Sequence, residues 1–539
     1  MKHIKYILLS AVVLGFTACN DVEDVLEANG ESVETTTLPE LNAGSLDLSN
    51  YVAIGASLSS GYTDGALFIA AQENSFPNTL SKQFAKIGGG AFTQPLMKDN
   101  TGGMIIPIPG VDDLPYRLIF NGTGPQRLND FYADLGAPAP VVNTIAGENL
   151  GGVFNNVGVP GSKSTHIDFN GYAALNPYFG RMATSADVSM LEYAIAQNPT
   201  FFTLSEIGGN DVLGYATSGG DGSDPITPAA TFELVFNDMV NQLTAVCPNG
   251  AVSNVPNIMD LPHFTAVPHN PLDPTNPAFG PLIPTLNGIF SQLNQVYAFL
   301  EVPERSIDFS ETEASAVVIK DETLADLSAQ IAGVLNASPT FPAFVESFGL
   351  PAAAAPLVAN LFGQSYGQTR EANENDLLTL PSSSIIGTVN TDSVAYLMGQ
   401  GLSQELAGQF SVEGISFPLS DKWVLLPSEQ LEITDAVEAY NLIVEAVAVS
   451  KGLALIDLNG ILSQVSTTGI VFDDFTFDTG LVTGGAFSLD GIHLTARGYA
   501  LMANKVLEAI DATYGSNFVA SGNVAKAGEF PTNYSPMLQ

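Results

Sequence analysis

Three residues, near opposite ends of a 539-residue chain, are of the types that move protons. Asp490 and His493 sit three apart in Ser488-Leu489-Asp490-Gly491-Ile492-His493-Leu494-Thr495. A carboxylate at that spacing can orient an imidazole, fix its tautomer and stabilise the imidazolium once a proton is taken up. A helix cap beside a surface histidine has the same spacing, so the pair alone does not separate the two uses. Ser57 lies in Tyr51-Val52-Ala53-Ile54-Gly55-Ala56-Ser57-Leu58-Ser59-Ser60-Gly61-Tyr62. The apolar run Tyr51–Ile54 predicts a short buried strand, which Gly55 breaks. A hydroxyl at such a strand-to-helix turn meets backbone N–H groups that stabilise developing negative charge. An ordinary N-cap serine would be placed the same way. The other histidines are His3, His166, His263 and His269, with no His-Glu-x-x-His pair and no Cys/His cluster, so neither a metal nor a cofactor is expected.

Positioning these groups requires a scaffold, and short apolar runs alternate with helical patterns along the chain. Strands are expected at Val153–Val159, Thr200–Ile207, Ala251–Val255, Trp423–Leu426 and Leu453–Asp457. Helices are expected at Ala186–Gln197, Leu431–Val449 and Thr495–Tyr514, with another starting at Ser75-Phe76-Pro77. This alternation implies a parallel sheet covered by helices. Residues 88–151 read as long loops. Residues 256–422 break the rhythm with proline-rich turns, then helical patterns over Ala325–Leu335 and Phe341–Phe362, and read as an insertion or cap. Two motifs fail on context. Gly158-Val159-Pro160-Gly161-Ser162-Lys163-Ser164 lacks the glycine spacing of a phosphate loop. Gly363-Gln364-Ser365-Tyr366-Gly367 matches a nucleophile elbow in letters, but a helical run rather than a strand precedes it.

In chain order, a small-residue serine turn follows the first strand and Asn156-Val157-Gly158-Val159-Pro160-Gly161 the second. Gly208-Gly209-Asn210-Asp211 follows the third, and Asp490-x-x-His493 precedes the last helix. This order resembles the SGNH/GDSL hydrolases, a family of serine esterases and lipases. The resemblance covers both ends of the chain and leaves the insertion unexplained. It implies a flavodoxin-like three-layer α/β/α sandwich, formed by residues 48–255 and 423–539. It implies Ser57 as nucleophile, His493 as general base and Asp490 as its orienting acid. The oxyanion hole would be the N–H of Ser57, the N–H of Gly161 and the amide of Asn210. The reaction expected is hydrolysis of acyl, lipid-like esters through an acyl-enzyme. The alternatives are a carbohydrate acetyl esterase of the same fold and a non-catalytic glycan-binding surface protein. The family usually has Asp before the serine, where this chain has Ala56, so support for the turn must come from elsewhere.

The 17 Lys and Arg against 56 Asp and Glu give a net charge of −39, which argues against nucleic acid as a partner. Met1 to Ala18 reads as a signal peptide: Lys2 and Lys5, then an apolar run too short to span a bilayer. Phe16-Thr17-Ala18-Cys19 resembles a lipobox with Cys19 lipidated, and the acidic Asp21, Glu23 and Asp24 resemble the start of a Bacteroidetes-type lipoprotein. That implies a lipid-anchored protein of the cell envelope, at the outer membrane and surface-exposed. Residues 19–47 read as a flexible tether. Cys247, the only other cysteine, reads as a core residue.

Overall fold

The computed structural model describes residues 38–538; Cys19, the segment 1–18 and the first part of the tether lie outside the described residues. Five strands form the central sheet: β1 Tyr51–Gly55, β2 Asn156–Gly158, β3 Phe201–Leu204, β4 Gly250–Ser253 and β5 Ala454–Ile456. All pair in parallel, in the spatial order 2-1-3-4-5. β1 is in register with both neighbours, Ile54 opposite Val157 on one side and Leu204 on the other.

Successive residues of β1 point to opposite faces, and each face meets its own layer of helices. Val52 and Ile54 enter a cluster with Met190, Phe236, Val240, Tyr440 and Val444, from the helices Met190–Ile195, Ala229–Val246 and Pro427–Lys451. Tyr51 and Ala53 enter a second cluster with Phe76, Leu80, Tyr499, Val506 and Ile510, from Phe76–Phe84 and Ala496–Tyr514. The result is an α/β architecture with helices on both sides of a buried parallel sheet. Side-chain caps fix several helix starts: Ser75 accepts from the N–H of Asn78, Ser189 and Glu192 form a capping box, and Thr495 accepts from Gly498. Cys247 is buried in the core, as expected. Among the described residues no helix is long and apolar enough to cross a membrane.

Several expectations are corrected. The last part of the 19–47 tether is docked: the N–H of Asn42 donates to Asn517 Oδ1 at 2.7 Å, that of Ser45 to the carbonyl of Tyr514 at 3.1 Å, and Leu46 is buried. The 88–151 stretch contains a hairpin, Leu118–Phe120 with Pro125–Arg127, and a helix, Leu128–Asp134. The helical pattern over Phe341–Phe362 is split into Phe341–Glu346 and Ala355–Tyr366: Gly349 takes φ +76° just past the first helix, and Pro351 lies in the gap. The expected core strand at Trp423–Leu426 is only Val424–Leu425, and it pairs antiparallel with Leu377–Leu378 outside the central sheet. Its alternation explains why: Leu425 faces the core while Val424 and Leu426 enter the separate cluster of the insertion. That cluster is built on Phe290, Tyr297, Ile331 and Phe362. The Gly363 and Gly367 motif lies at the end of a helix, where a side chain on Gly363 would fall 2.2 Å from the carbonyl of Ser328. The glycines serve close helix packing, not a strand-to-helix elbow.

Three carboxylates crowd the seam between insertion and core: oxygens of Glu322, Asp421 and Glu429 lie within 4.8 Å of one another. Burial, reinforced by Glu322 and Asp421, pushes Glu429 up to about 8. A carboxyl whose folded value exceeds its unfolded one, near 4, holds its proton more tightly when folded. Its contribution to stability is therefore greatest below about pH 4 and is lost as the pH rises towards 8. Glu429→Gln should gain melting temperature over wild type at pH 8 and gain little at pH 5. Parallel pH profiles for the two proteins would refute this.

Candidate active site

In an open sheet of this order, the crevice beyond the strand ends lies between β1 and β3. Ser57, Glu206 and Asn210 all stand at that place. Ser57 opens the short helix Ser57–Ser60 directly after β1 and is 9% exposed. Its Oγ makes no hydrogen bond among the described residues, and its N–H has no acceptor there.

The turn is held by a residue that sequence reasoning missed. Glu206 follows β3, and its carboxylate accepts from the N–H of Ala56 at 2.9 Å, of Leu58 at 2.6 Å and of Ser59 at 2.6 Å. Glu206 takes a left-handed backbone, φ +59°, which ordinarily costs a non-glycine residue about 1–2 kcal/mol. Three hydrogen bonds to a carboxylate offset that cost. Burial raises the Glu206 carboxyl, and the hydrogen bonds from Ser59, Leu58 and Ala56 oppose the rise. The signal was present as a lone glutamate at the end of the apolar run Thr200–Ile207, but its partner became visible only once β1 and β3 were adjacent.

Asn210 lies in the first turn of the helix Gly209–Thr217. Gly208 starts that helix at φ +101°, and a side chain there would fall 2.7 Å from Val255 and 3.0 Å from Phe232, so only glycine fits. The Asn210 amide donates one hydrogen to the carbonyl of Ser162 at 2.9 Å. A second hydrogen stays free on the same nitrogen. Asp211 accepts from the N–H and the hydroxyl of Ser164, tying the loop after β2 to this helix. Gly161 is exposed at φ +78°, one residue before Ser162, and its N–H has no acceptor among the described residues. It does not line the cavity that holds Ser57.

Asp490 Oδ2 meets His493 Nδ1 at 2.9 Å. The carboxylate also accepts from the N–H of Gly65, Ile492 and His493 and from the hydroxyl of Ser488. Burial raises the Asp490 carboxyl, but the charge and hydrogen bonds of His493, with the N–H of Ile492, hold it well below the ordinary range. An ionised carboxylate only accepts, so Nδ1 carries a proton towards it, and in the neutral imidazole Nε2 is bare to take another. Tyr62 stacks obliquely on the imidazole, ring centroids 4.6 Å apart.

The two ends of the chain are joined by consecutive residues. Thr63 donates to the carbonyl of Leu494, Asp64 receives the N–H of Leu489 and Gly65 donates to Asp490. The insertion reaches the same loop: the N–H of His263 donates to the carbonyl of Gly491 at 3.0 Å. Gly491 is at φ +73°, and a side chain there would fall 2.9 Å from His263 and 3.1 Å from Leu380.

Ser57, Asn210 and His493 line one cavity of about 140 Å³ with Leu213, Ile258, Leu462 and Phe487. The structure thus gathers Ser57, Asn210, Asp490 and His493, and leaves Gly161 at the edge. No family model, curated protein or solved structure matches this chain.

Such an arrangement can activate a hydroxyl, hold an oxyanion and bury a small apolar group. Asp490→Asn should lower kcat on an ester by on the order of 10⁴, because an amide at that place no longer fixes the proton on Nδ1. An N–H₂ set against the donors of Asp490 also lowers the melting temperature, so kcat is measured well below the transition, and a loss under about tenfold there would remove Asp490 from the mechanism.

Proposed function

We propose that this chain is a serine ester hydrolase of the SGNH/GDSL type, anchored by lipid at Cys19. The observation that carries the reading is the single apolar cavity shared by Ser57, Asn210 and His493, with His493 backed by Asp490. The sheet order 2-1-3-4-5 supports it, since that family's fold is doubly wound. Ser57 Oγ attacks the ester carbon while His493 Nε2 takes its proton. The oxyanion is held by the N–H of Ser57 and the second amide hydrogen of Asn210. His493 returns the proton to the leaving alcohol. Water then repeats the attack and frees Ser57.

The cavity is close in size to one of about 150 Å³ that accepts benzene, which suits an acyl chain of about four to six carbons. The test is hydrolysis of p-nitrophenyl acetate, butyrate, hexanoate and palmitate, beside labelling by a fluorophosphonate probe. The expected result is a label on Ser57 and a maximum at butyrate or hexanoate. A maximum at acetate would redirect the reading to acetylated glycans, and a maximum at palmitate would refute the pocket argument. No label on Ser57 in folded protein would refute the hydrolase.

A further inference from the structure

The insertion contains a cavity of about 770 Å³ that shares no lining residue with the candidate active site. We propose that it binds a single-chain cationic amphiphile, an alkyl chain ending in a protonated amine. Its volume is in the range of small-molecule sites, about 300–1,000 Å³. Its floor is aromatic and aliphatic: Phe344, Phe362, Phe410, Leu397 and Leu406 line it. These residues come from two packing groups. Phe362 belongs to the main cluster of the insertion, whereas Leu397 and Leu406 belong to a small separate one, formed where the helices Thr391–Gly399 and Gln404–Gln409 lie against Leu361. The cavity fills the gap between the two groups, so a ligand chain there would bury apolar surface that the fold leaves unmatched.

The polar wall gives the sign of the headgroup. Asp326, Asp392 and Asp421 line it against one cation, Lys320. Asp326 and Asp392 are exposed at the rim. Asp421 Oδ1 is buried without a hydrogen-bond partner among the described residues. Asp421 also belongs to the group of carboxylates with Glu322 and Glu429, which adds negative charge behind the wall. A fatty acid carboxylate would instead meet a wall with an excess of negative charge, in a chain whose net charge is −39.

The experiment is calorimetric titration of the soluble chain from residue 38, with decylammonium chloride or sodium decanoate below their micelle thresholds. An acidic protein also collects cationic surfactant on its surface, so stoichiometry and variants decide. The expected result is one saturable decylammonium site, with decanoate weaker by about tenfold or more. Asp392→Asn, at an exposed position, should weaken decylammonium severalfold without affecting folding. Leu406→Trp, which fills the floor, should abolish the saturable site in protein shown to be folded by its melting curve. Ser57→Ala should leave binding as in wild type, because the site stands apart from the hydrolase reading. Equal or tighter decanoate binding would overturn the proposal. So would binding in many equivalents that Leu406→Trp leaves intact, or no saturable binding to wild type.

Discussion

Ser57→Ala is expected to lower ester turnover by on the order of 10⁴–10⁶ while leaving the melting temperature within about two degrees of wild type. The two halves of that result have separate causes. Turnover is expected to fall because, on the proposed mechanism, no other hydroxyl replaces Oγ in the cavity shared with Asn210 and His493. Stability holds because the hydroxyl makes no hydrogen bond among the described residues, so its removal leaves no partner orphaned. The decisive measurement is the pair, kcat on a short acyl ester and the melting curve of the same preparation. A variant that unfolds would make Ser57 a structural residue of the turn. A variant that turns over at the wild-type rate would move the nucleophile elsewhere.

Glu206→Ala should have the opposite profile, with a large effect on the fold and a secondary one on the rate. Three backbone N–H groups lose their acceptor at once. Each unsatisfied buried group typically costs about 1–3 kcal/mol, so a loss of about 3 kcal/mol or more and several degrees of melting temperature is expected. The rate should fall by about 10–100-fold even well below the transition, because the N–H of Ser57 is aimed by the same turn. Glu206→Gln keeps one acceptor oxygen and places an amide N–H₂ against a donor, so it should fall between wild type and Glu206→Ala. Wild-type stability in both variants would show that the turn holds itself. Reduced stability with an unchanged rate would confine Glu206 to the scaffold.

Glu206 also marks where sequence reading stops. β1, β3 and β4 were legible because a buried parallel strand is a short apolar run, and the helix starts because Ser75 and Thr495 cap locally. Asp490 and His493 were legible as a pair because three residues separate them. What holds the turn at Ala56 was not legible: Glu206 is far away in sequence, and only the pairing of β1 with β3 puts its carboxylate under the turn. Trp423–Leu426 misled because a strand at a seam has the same apolar letters as a strand in a sheet. The break at Gly349 and Pro351 was readable from glycine and proline chemistry, and the apolar run around it masked the stop. Gly161 carries the opposite lesson. Its motif fits, its N–H is free and its backbone is open, yet it lies outside the cavity that unites the other groups.

The bond from His263 to Gly491 bears on how such a chain can change over generations. Residues 256 onward supply a donor and a packing surface to the very loop that carries His493. Exchange of the insertion for another segment would therefore fail unless the loop at 488–493 travelled with it, glycine at 491 included. The two pieces form one unit of inheritance, although more than two hundred residues of chain separate His263 from Gly491.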